Sequence, residues 1–212
     1  MIEDEASARA FVLNLGGVEA LTRLERLVEL LHAENDRQNL VSKASLPQVW
    51  RRHIADSAQL LLHVPRETSP VPWLDLGTGA GFPGLVIAAM QPDWDVRLIE
   101  SRKRRVEWLQ RAASDLDLKN CRVIGARLED VESVDAGVIS ARAFAPMVKL
   151  LALSQRFSTE ETLWLLPKGR SAEHELGQLA PSLRRMFHVE QSQTDPASGI
   201  VIGRGVGKRG TE

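Results

Sequence analysis

The stretch WLDLGTGAGFPG, Trp73 to Gly84, decides the fold. An apolar run from Val71 to Leu76 stops at Gly77, and three more glycines follow before the stretch ends. Apolar residues then recur at helical spacing from Leu85 to Met90. Glycine adopts positive φ without strain and lets the backbone approach a ligand closely. The stretch therefore predicts a buried strand, a glycine turn that cradles a nucleotide-like ligand, and a helix.

Strand-like runs alternate with helical patterns along most of the remaining chain. Further strands are predicted at Val96–Glu100, Arg122–Gly125, Ala136–Ser140 and Thr162–Leu166, and helices at Arg102–Leu116, Pro146–Arg156 and Ala172–Leu179. Two closing runs, Arg185–Gln191 and Gly199–Arg204, flank a turn-like TDPAS and predict an antiparallel hairpin. Because strands that alternate with helices pair in parallel, we predict an α/β fold with a mostly parallel, doubly wound sheet.

The residues ahead of the first strand are predicted to be helical throughout. Apolar residues at helical spacing predict a helix over Val18–Glu34, the polar stretch Ala33–Ser42 predicts a loop, and Ser45 is placed as the N-cap of a second helix. Three prolines then predict a linker. We therefore divide the chain into an N-terminal helical cap, residues 1–68, and a sheet domain, residues 69–212.

Composition excludes some functional classes. The 27 basic and 28 acidic residues leave a net charge of −1, so any nucleic-acid binding must depend on local basic patches. No apolar run approaches the ~20 residues of a membrane span, and the acidic N-terminus does not have the pattern of a secretion signal. The single cysteine, Cys121, is predicted to be a core residue. We expect a cytoplasmic monomer, with no membrane segment and no metal site.

The glycine turn matches the sequence motifs of two different cofactor sites. The segment from Gly79 through Gly81 to Gly84 matches G-x-G-x-x-G, the dinucleotide fingerprint. The segment Asp75-Leu-Gly77-Thr-Gly79-Ala-Gly81 instead matches the acidic-x-Gly-x-Gly-x-Gly turn of S-adenosylmethionine methyltransferases. Because the strand ends at Gly77, the spacing favours the second cofactor. The closing hairpin also fits a seven-stranded, Rossmann-like class I methyltransferase sheet. An NAD-dependent oxidoreductase is the less favoured alternative.

Acidic and loop residues at the same edge of the sheet complete the predicted cofactor site. Glu100 ends the second strand, where a carboxylate accepts hydrogen bonds from the ribose hydroxyls of a nucleotide. The alternative is that Glu100 interacts only with the dipole of the helix that follows. Leu128 and Glu129 follow the third strand, in the loop where an adenine edge would lie.

Several motifs together resemble one family. They are QNLVS and RRHIADS in the cap, GAGFPG in the glycine turn, LIESRKRRVEWL in the second unit, ISARAFAP after the fourth strand and LPKG in the fifth. Over roughly residues 20 to 205 the chain resembles the RsmG family, also called GidB. These bacterial enzymes methylate N7 of a guanine in 16S ribosomal RNA, the family's guanine 527, in the loop near the decoding site. The resemblance implies S-adenosyl-L-methionine as cofactor and 16S rRNA or the small ribosomal subunit as partner.

The resemblance also implies roles for individual residues. Gly77 and Phe82 would contact the cofactor, with Gly79 and Gly81 in the same turn, and Leu128 and Glu129 would flank its adenine. Arg142 would face the region where cofactor and substrate meet. Because guanine N7 carries an exposed lone pair, no general base is required. We expect the RNA to be bound by Asn39, Arg52, His53 and Lys168.

Two other functions stay open on the sequence alone. A methyltransferase with a small-molecule or protein acceptor would use the same cofactor turn. A non-catalytic RNA-binding module would use only the basic residues. Labelled methyl transfer separates the three.

Overall fold

The computed structural model describes residues 1–65 and 72–207. A seven-stranded sheet with the order β3-β2-β1-β4-β5-β7-β6 forms its centre. The strands are β1 Trp73–Leu76, β2 Val96–Ile99, β3 Cys121–Ile124, β4 Val138–Ser140, β5 Leu163–Gly169, β6 Phe187–Gln191 and β7 Gly199–Gly203. The first five pair in parallel, and β7 lies antiparallel between β5 and β6. The predicted α/β fold and its closing hairpin are confirmed.

Helices cover both faces of this sheet. They are α1 Glu5–Gln38, α2 Asp56–Ala58, α3 Gly84–Met90, α4 Lys103–Asp115, α5 Met147–Ser154, α6 Ala172–Gly177 and α7 Pro181–Arg184. Short 3₁₀ turns lie at Leu46–Gln48, Gln59–His63, Leu128–Asp130 and Gln155–Phe157, and a π turn lies at Trp50–Ala55. Within the described ranges, no helix combines the length and the apolar character that a membrane crossing requires.

The sheet order places a crevice beside β1. Strand β1 has β2 on one side and β4 on the other, so the helical connections leave β1 and β4 toward opposite faces. Ligands of open α/β sheets bind outside the carboxyl ends of the strands at such a switch point. The glycine turn after β1 and the loop after β4 both open into this crevice.

The first helix, α1, is interrupted at Gly17, whose φ of 76° and ψ of −177° are not helical. The predicted start at Val18 is correct for the part after this break, and residues 5–16 add a helical part that was not predicted. As a whole, α1 begins before and ends after the predicted range, Val18–Glu34.

The N-terminus of α1 is set by a capping box in which the Asp4 carboxylate accepts the Ser7 N–H at 2.7 Å. Its C-terminus extends to Gln38, so the loop predicted from residue 33 is wrong over its first half. The polar residues there are used in packing, because the buried Glu34 carboxylate pairs with Arg111 of α4 at 2.9 Å.

The second predicted helix forms an irregular segment over residues 46–63. The Ser45 side chain does not cap it, contrary to the prediction. The carboxylate of Glu5, in the first turn of α1, instead accepts the backbone N–H groups of Trp50 and Arg51, each at 2.9 Å. The start of α1 therefore positions this segment over the sheet.

Cap and sheet share an apolar core. Leu24 and Leu31 of α1 and Ile54 of the 46–63 segment belong to one buried cluster with Leu85 and Val86 of α3. A second cluster on the other face of the sheet holds α5 and α6. The predicted division at residue 68 falls within residues 66–71, outside the described part of the chain.

Candidate active site

A cavity of about 1080 Å³ lies at the carboxyl edge of the sheet. Its walls come from the cap, the glycine turn, the loops after β4 and β5 and the turn between β6 and β7. The charged side chains of the lining are mostly basic: seven basic residues, Arg51, Arg52, Arg102, Arg105, Arg142, Lys168 and Arg170, stand against three acidic ones, Asp56, Glu175 and Asp195. Because basic side chains outnumber acidic ones, the cleft favours an anionic ligand.

Hydrogen bonds hold the glycine turn at the floor of this cavity. Gly77 and Gly79 both have positive φ, at 64° and 60°. The fully buried Asp75 carboxylate accepts the N–H of Gly84 at 2.9 Å and the hydroxyl of Ser140 on β4, also at 2.9 Å. Burial raises the pKa of Asp75. The acidic residue of the motif thus ties the turn to the end of β4.

Glu100 makes backbone contacts within the turn. One carboxylate oxygen accepts the N–H of Gly79 at 3.2 Å, and the other accepts the N–H groups of Ser101 and Arg102, both at 2.9 Å. The contacts with Ser101 and Arg102 match the alternative role at the start of the following helix. The contact with Gly79 places the carboxylate against the predicted cofactor turn. The ribose-binding role of Glu100 stays a prediction.

Four of the predicted cofactor residues lie outside the described lining of the cavity: Glu100, Gly81, Leu128 and Glu129. A Cβ on Gly81 would lie 2.3 Å from the side chain of Leu85, so this glycine is required by the packing of α3. Leu128 is buried, and its carbonyl accepts a hydrogen bond from Arg156. Glu129 is exposed in the 3₁₀ turn after β3. Their predicted contacts with a cofactor stay predictions.

His53, Phe82 and Arg142 come together above the turn. The His53 ring stacks on Phe82 with centroids 5.1 Å apart, and the Arg142 guanidinium lies 5.1 Å from the centroid of the same ring. A nitrogen of Arg142 lies 3.1 Å from Nδ1 of His53. Because arginine only donates hydrogen bonds, Nδ1 accepts, and Nε2 carries the proton that it donates to the Ser45 hydroxyl at 2.9 Å. The structure thus joins three predicted residues from the cap, the turn and the loop after β4.

Charge and burial keep His53 neutral. Burial, the Arg142 guanidinium and the Arg52 guanidinium together lower the pKa of His53 to about 3. With both ring nitrogens engaged, His53 is suited to orienting Arg142 rather than to moving a proton.

Asp56 completes the cluster; it lies in the RRHIADS motif but was not predicted as a site residue. One of its carboxylate oxygens lies 3.4 Å from Arg142, and the other accepts hydrogen bonds from Gln59 and Thr194, both at 2.9 Å. The three-residue spacing of His53 and Asp56 in a helical segment was a usable signal, because such residues share a face. Thr194 had no local signal, since it lies 138 residues from Asp56.

Lys168 has partners inside the protein. Its side chain is only 5% exposed, and its Nζ lies 2.9 Å from both the carbonyl of Ala145 and the carboxylate of Glu175. These contacts hold the loop after β4 against the end of β5. They give Lys168 a structural role beside the RNA-binding role that the sequence predicts.

Arg52 and Asn39 are both exposed. In residues 1–65 and 72–207, the guanidinium of Arg52 has no hydrogen bond or ion pair, and it lines the cavity. Asn39 ends α1 in a left-handed conformation, and its carbonyl accepts a hydrogen bond from Arg105 at 3.0 Å. Arg105 therefore fastens the end of α1 to α4 beside the cavity.

The described residues contain no group of three histidine, cysteine, aspartate or glutamate side chains that would hold a metal ion. The single thiol, Cys121, is mostly buried, and burial together with the charge of Asp75 raises its pKa to about 12.

Comparisons with known proteins identify the family. The family model GidB, described as rRNA small subunit methyltransferase G, matches residues 20–199. A ribosomal RNA small subunit methyltransferase G from Novosphingobium aromaticivorans is 62% identical over 94% of this chain and 88% of its own length. A protein of the same name from Erythrobacter litoralis is 59% identical over 98% of this chain and all of its own length.

A solved structure agrees on the fold. The S-adenosylmethionine-dependent methyltransferase from Aquifex aeolicus superposes with a TM-score of 0.59 at 16% identity, over 81% of this chain and 97% of its own. At that identity the likeness supports the predicted fold of the sheet, and it gives no information on the substrate or on individual site residues. From the family model and its close relatives, the chain belongs to the GidB family of rRNA small subunit methyltransferases G.

Proposed function

We propose that the protein transfers a methyl group from S-adenosylmethionine to N7 of a guanine in the 16S rRNA loop near the decoding site. Family membership confirms the predicted class, a methyltransferase of small-subunit rRNA that uses S-adenosylmethionine. The observation that supports an RNA substrate is the meeting of the glycine turn with a cavity under the helical cap that is lined by seven basic and three acidic side chains. Guanine N7 and the loop near the decoding site are what the family resemblance implies. One end of this cavity suits a nucleoside cofactor and the rest suits a polyanion.

The residues at the turn fit the cofactor. Gly77 and Gly79 have left-handed backbone and line the cavity, and the Glu100 carboxylate lies against Gly79 at the end of β2. We propose that these three residues, with Phe82, hold the adenosyl and methionine parts. The bound cofactor supplies a methyl group on a positively charged sulfur.

The chemistry needs alignment rather than proton transfer. The lone pair of guanine N7 forms a bond to the methyl carbon, the carbon–sulfur bond breaks, and its electron pair stays on sulfur. The products are N7-methylguanine, which carries the positive charge, and a neutral thioether. Because no proton leaves N7, a neutral His53 and an Arg142 held by His53 and Asp56 are sufficient. Their work is to orient the reactants and exclude water.

The basic residues are proposed to hold the RNA. Arg52 and Arg170 line the cavity, are exposed and have no hydrogen bond or ion pair among the described residues. A guanine must leave its stack to enter the cavity. We propose that the cap, residues 1–68, binds RNA over the methyltransferase domain, residues 69–212. Because one chain supplies the whole cavity, we also propose that the protein acts as a monomer, in the cytoplasm where its rRNA substrate lies.

Labelled methyl transfer tests this function. Small ribosomal subunits from cells that lack the enzyme are incubated with the protein and labelled S-adenosylmethionine, and the site is mapped by the strand cleavage that N7-methylguanine permits. We expect one labelled guanine in the loop near the decoding site. Label on another acceptor, with 16S rRNA inert, would instead identify a different substrate. Titration with S-adenosylhomocysteine and NAD in parallel tests the cofactor assignment.

A further inference from the structure

Phe144 lies where the cofactor turn meets the open part of the cavity. It belongs to the loop after β4, is half-buried and lines the cavity. An ideal Cβ built on Gly77 would lie 2.1 Å from Cδ2 of Phe144, so the edge of this ring rests directly on the glycine. The Phe144 ring is therefore adjacent to the place proposed for the methyl donor.

The other aromatic rings of the cavity are already occupied. Among the described lining residues these rings are His53 and Phe82, and they stack on each other. Phe82 is only 2% exposed, and Arg142 also lies against its ring. Phe144 is thus the aromatic side chain of the described lining that is partly exposed and not engaged in ring stacking.

Contacts at both ends of its loop fix the position of Phe144. On one side of it, Ala143 has a φ of 52°, a left-handed conformation that a non-glycine residue holds only when its surroundings require it. On the other side, Lys168 donates to the carbonyl of Ala145 at 2.9 Å, and Glu175 accepts the N–H of Met147 at 2.9 Å. The Phe144 ring is therefore presented by an ordered loop rather than by a free one.

We propose that Phe144 is the side chain on which the target guanine stacks when it enters the cavity. An unstacked base exposes its π-face, and proteins commonly replace the lost stacking with an aromatic ring. A base on Phe144 would lie beside Gly77, next to the methyl donor, without any hydrogen bond that selects its edge. This inference rests on the proposed function, and it assigns Phe144 to substrate binding rather than to cofactor binding.

Three substitutions at Phe144 test the inference. Phe144→Ala removes the ring, Phe144→Leu keeps an apolar contact without a π-face, and Phe144→Trp keeps a π-face. Methylation of small subunits is measured in single turnover at saturating S-adenosylmethionine, and the dissociation constant of S-adenosylhomocysteine is measured by calorimetry. We expect Phe144→Ala to lower the rate about 5- to 150-fold, which matches the loss of one base–aromatic stack. Phe144→Leu should lower the rate clearly, Phe144→Trp only slightly, and cofactor affinity should stay within about twofold.

The matched control is Val148→Ala, a truncation of a 52% exposed side chain in α5. It should leave both quantities unchanged. If Phe144→Ala does not fold, the methylation rates of Phe144→Leu and Phe144→Trp are compared instead. A clearly slower Phe144→Leu supports the inference, and equal rates contradict it.

Several outcomes would overturn the inference. Unimpaired methylation by folded Phe144→Ala or Phe144→Leu removes Phe144 from substrate binding. A raised dissociation constant for S-adenosylhomocysteine, with an unchanged rate at saturating S-adenosylmethionine, assigns the ring to the cofactor instead. These outcomes contradict only the role of Phe144. The proposed function itself fails if the wild-type protein transfers no methyl group to guanine N7, and the role of Phe144 then fails with it.

Discussion

The guanidinium of Arg142 lies 3.4 Å from the carboxylate of Asp56, across 86 residues of chain. Each side chain is about one-fifth exposed, at 22% and 20%, so water screens the pair only in part. Asp56 is itself fixed by Gln59 and by Thr194 of the turn between β6 and β7. The position of Arg142 in the cavity is therefore set by the cap and the closing hairpin as well as by its own loop.

Asp56→Asn is expected to loosen Arg142 while keeping the shape of the side chain. We expect the free energy of unfolding to fall by about 1 kcal/mol, at the low end for a hydrogen bond to a charged group because the pair is partly solvated. Methyl transfer should slow about tenfold, equivalent to ~1.4 kcal/mol of lost orientation, with cofactor affinity unchanged. Urea unfolding and single-turnover methylation check these values. Asp93→Asn, an exposed change in the turn before β2, should alter neither quantity.

Gly77→Ala is expected to weaken cofactor binding at least tenfold. Its φ of 64° is strained for any residue with a Cβ, at about 1–2 kcal/mol, and that Cβ would also displace the ring of Phe144. We expect lower thermal stability and at least a tenfold weaker binding of S-adenosylhomocysteine by calorimetry. Gly177→Ala is the matched control, because a Cβ there meets nothing within 4 Å and the residue lies in α6. Normal cofactor affinity in folded Gly77→Ala would contradict the assignment of the turn.

Lys168→Met tests whether Lys168 is structural. Its removal leaves the Glu175 carboxylate, 17% exposed, without a cation, so we expect a loss of about 3 kcal/mol in the free energy of unfolding. The double variant Lys168→Met with Glu175→Gln should recover most of this loss, since glutamine still accepts the N–H of Met147. A single variant of normal stability that binds small subunits more weakly would show instead that Lys168 contacts RNA directly.

Arg52→Ala should weaken RNA binding without affecting the fold. The guanidinium has no hydrogen bond or ion pair among the described residues, so stability should stay within about 0.5 kcal/mol of wild type. Affinity for small subunits should fall, and the slope of log affinity against log salt should shrink by about 1 for one lost phosphate contact. Arg26→Ala, in an exposed ion pair with Glu29 on α1, should leave the salt slope unchanged. An unchanged slope in Arg52→Ala would remove this residue from the RNA path.

The lowered pKa of His53 predicts a pH dependence of stability. Between pH 6.5 and about 3 the folded protein holds fewer protons at His53 than the unfolded chain, so the free energy of unfolding should rise with pH over this window. Acidification from about pH 6 to 4 should cost up to ~1.4 kcal/mol per pH unit from this group. The slope in His53→Asn should be shallower by that amount in urea unfolding. Equal slopes would mean that His53 is not buried beside Arg142.

Local patterns accounted for the sheet and the turn. The strands of the sheet, and helices such as α4, are short enough for their hydrophobic period to lie within one window of sequence, so Val96–Ile99 and Lys103–Asp115 were found to within one residue at each end. The loop predicted from residue 33 was wrong because a contact distant in sequence decides the structure there. Glu34 is polar and was expected in a loop, but it is buried in a helix against Arg111, which lies far away in sequence.

By itself the sequence determined the order of elements, the glycine turn and the family, because these depend on residues close together along the chain. Only the tertiary structure decided what surrounds the turn. It placed Phe144 on Gly77, Asp56 beside Arg142, and Lys168 in a buried pair with Glu175. The Phe144 and Asp56 contacts join segments 67 and 86 residues apart, and Lys168 also binds a carbonyl 23 residues away. Local hydrophobic patterns cannot predict such contacts, because the contacts form only when the cap and the loops pack together around the cavity.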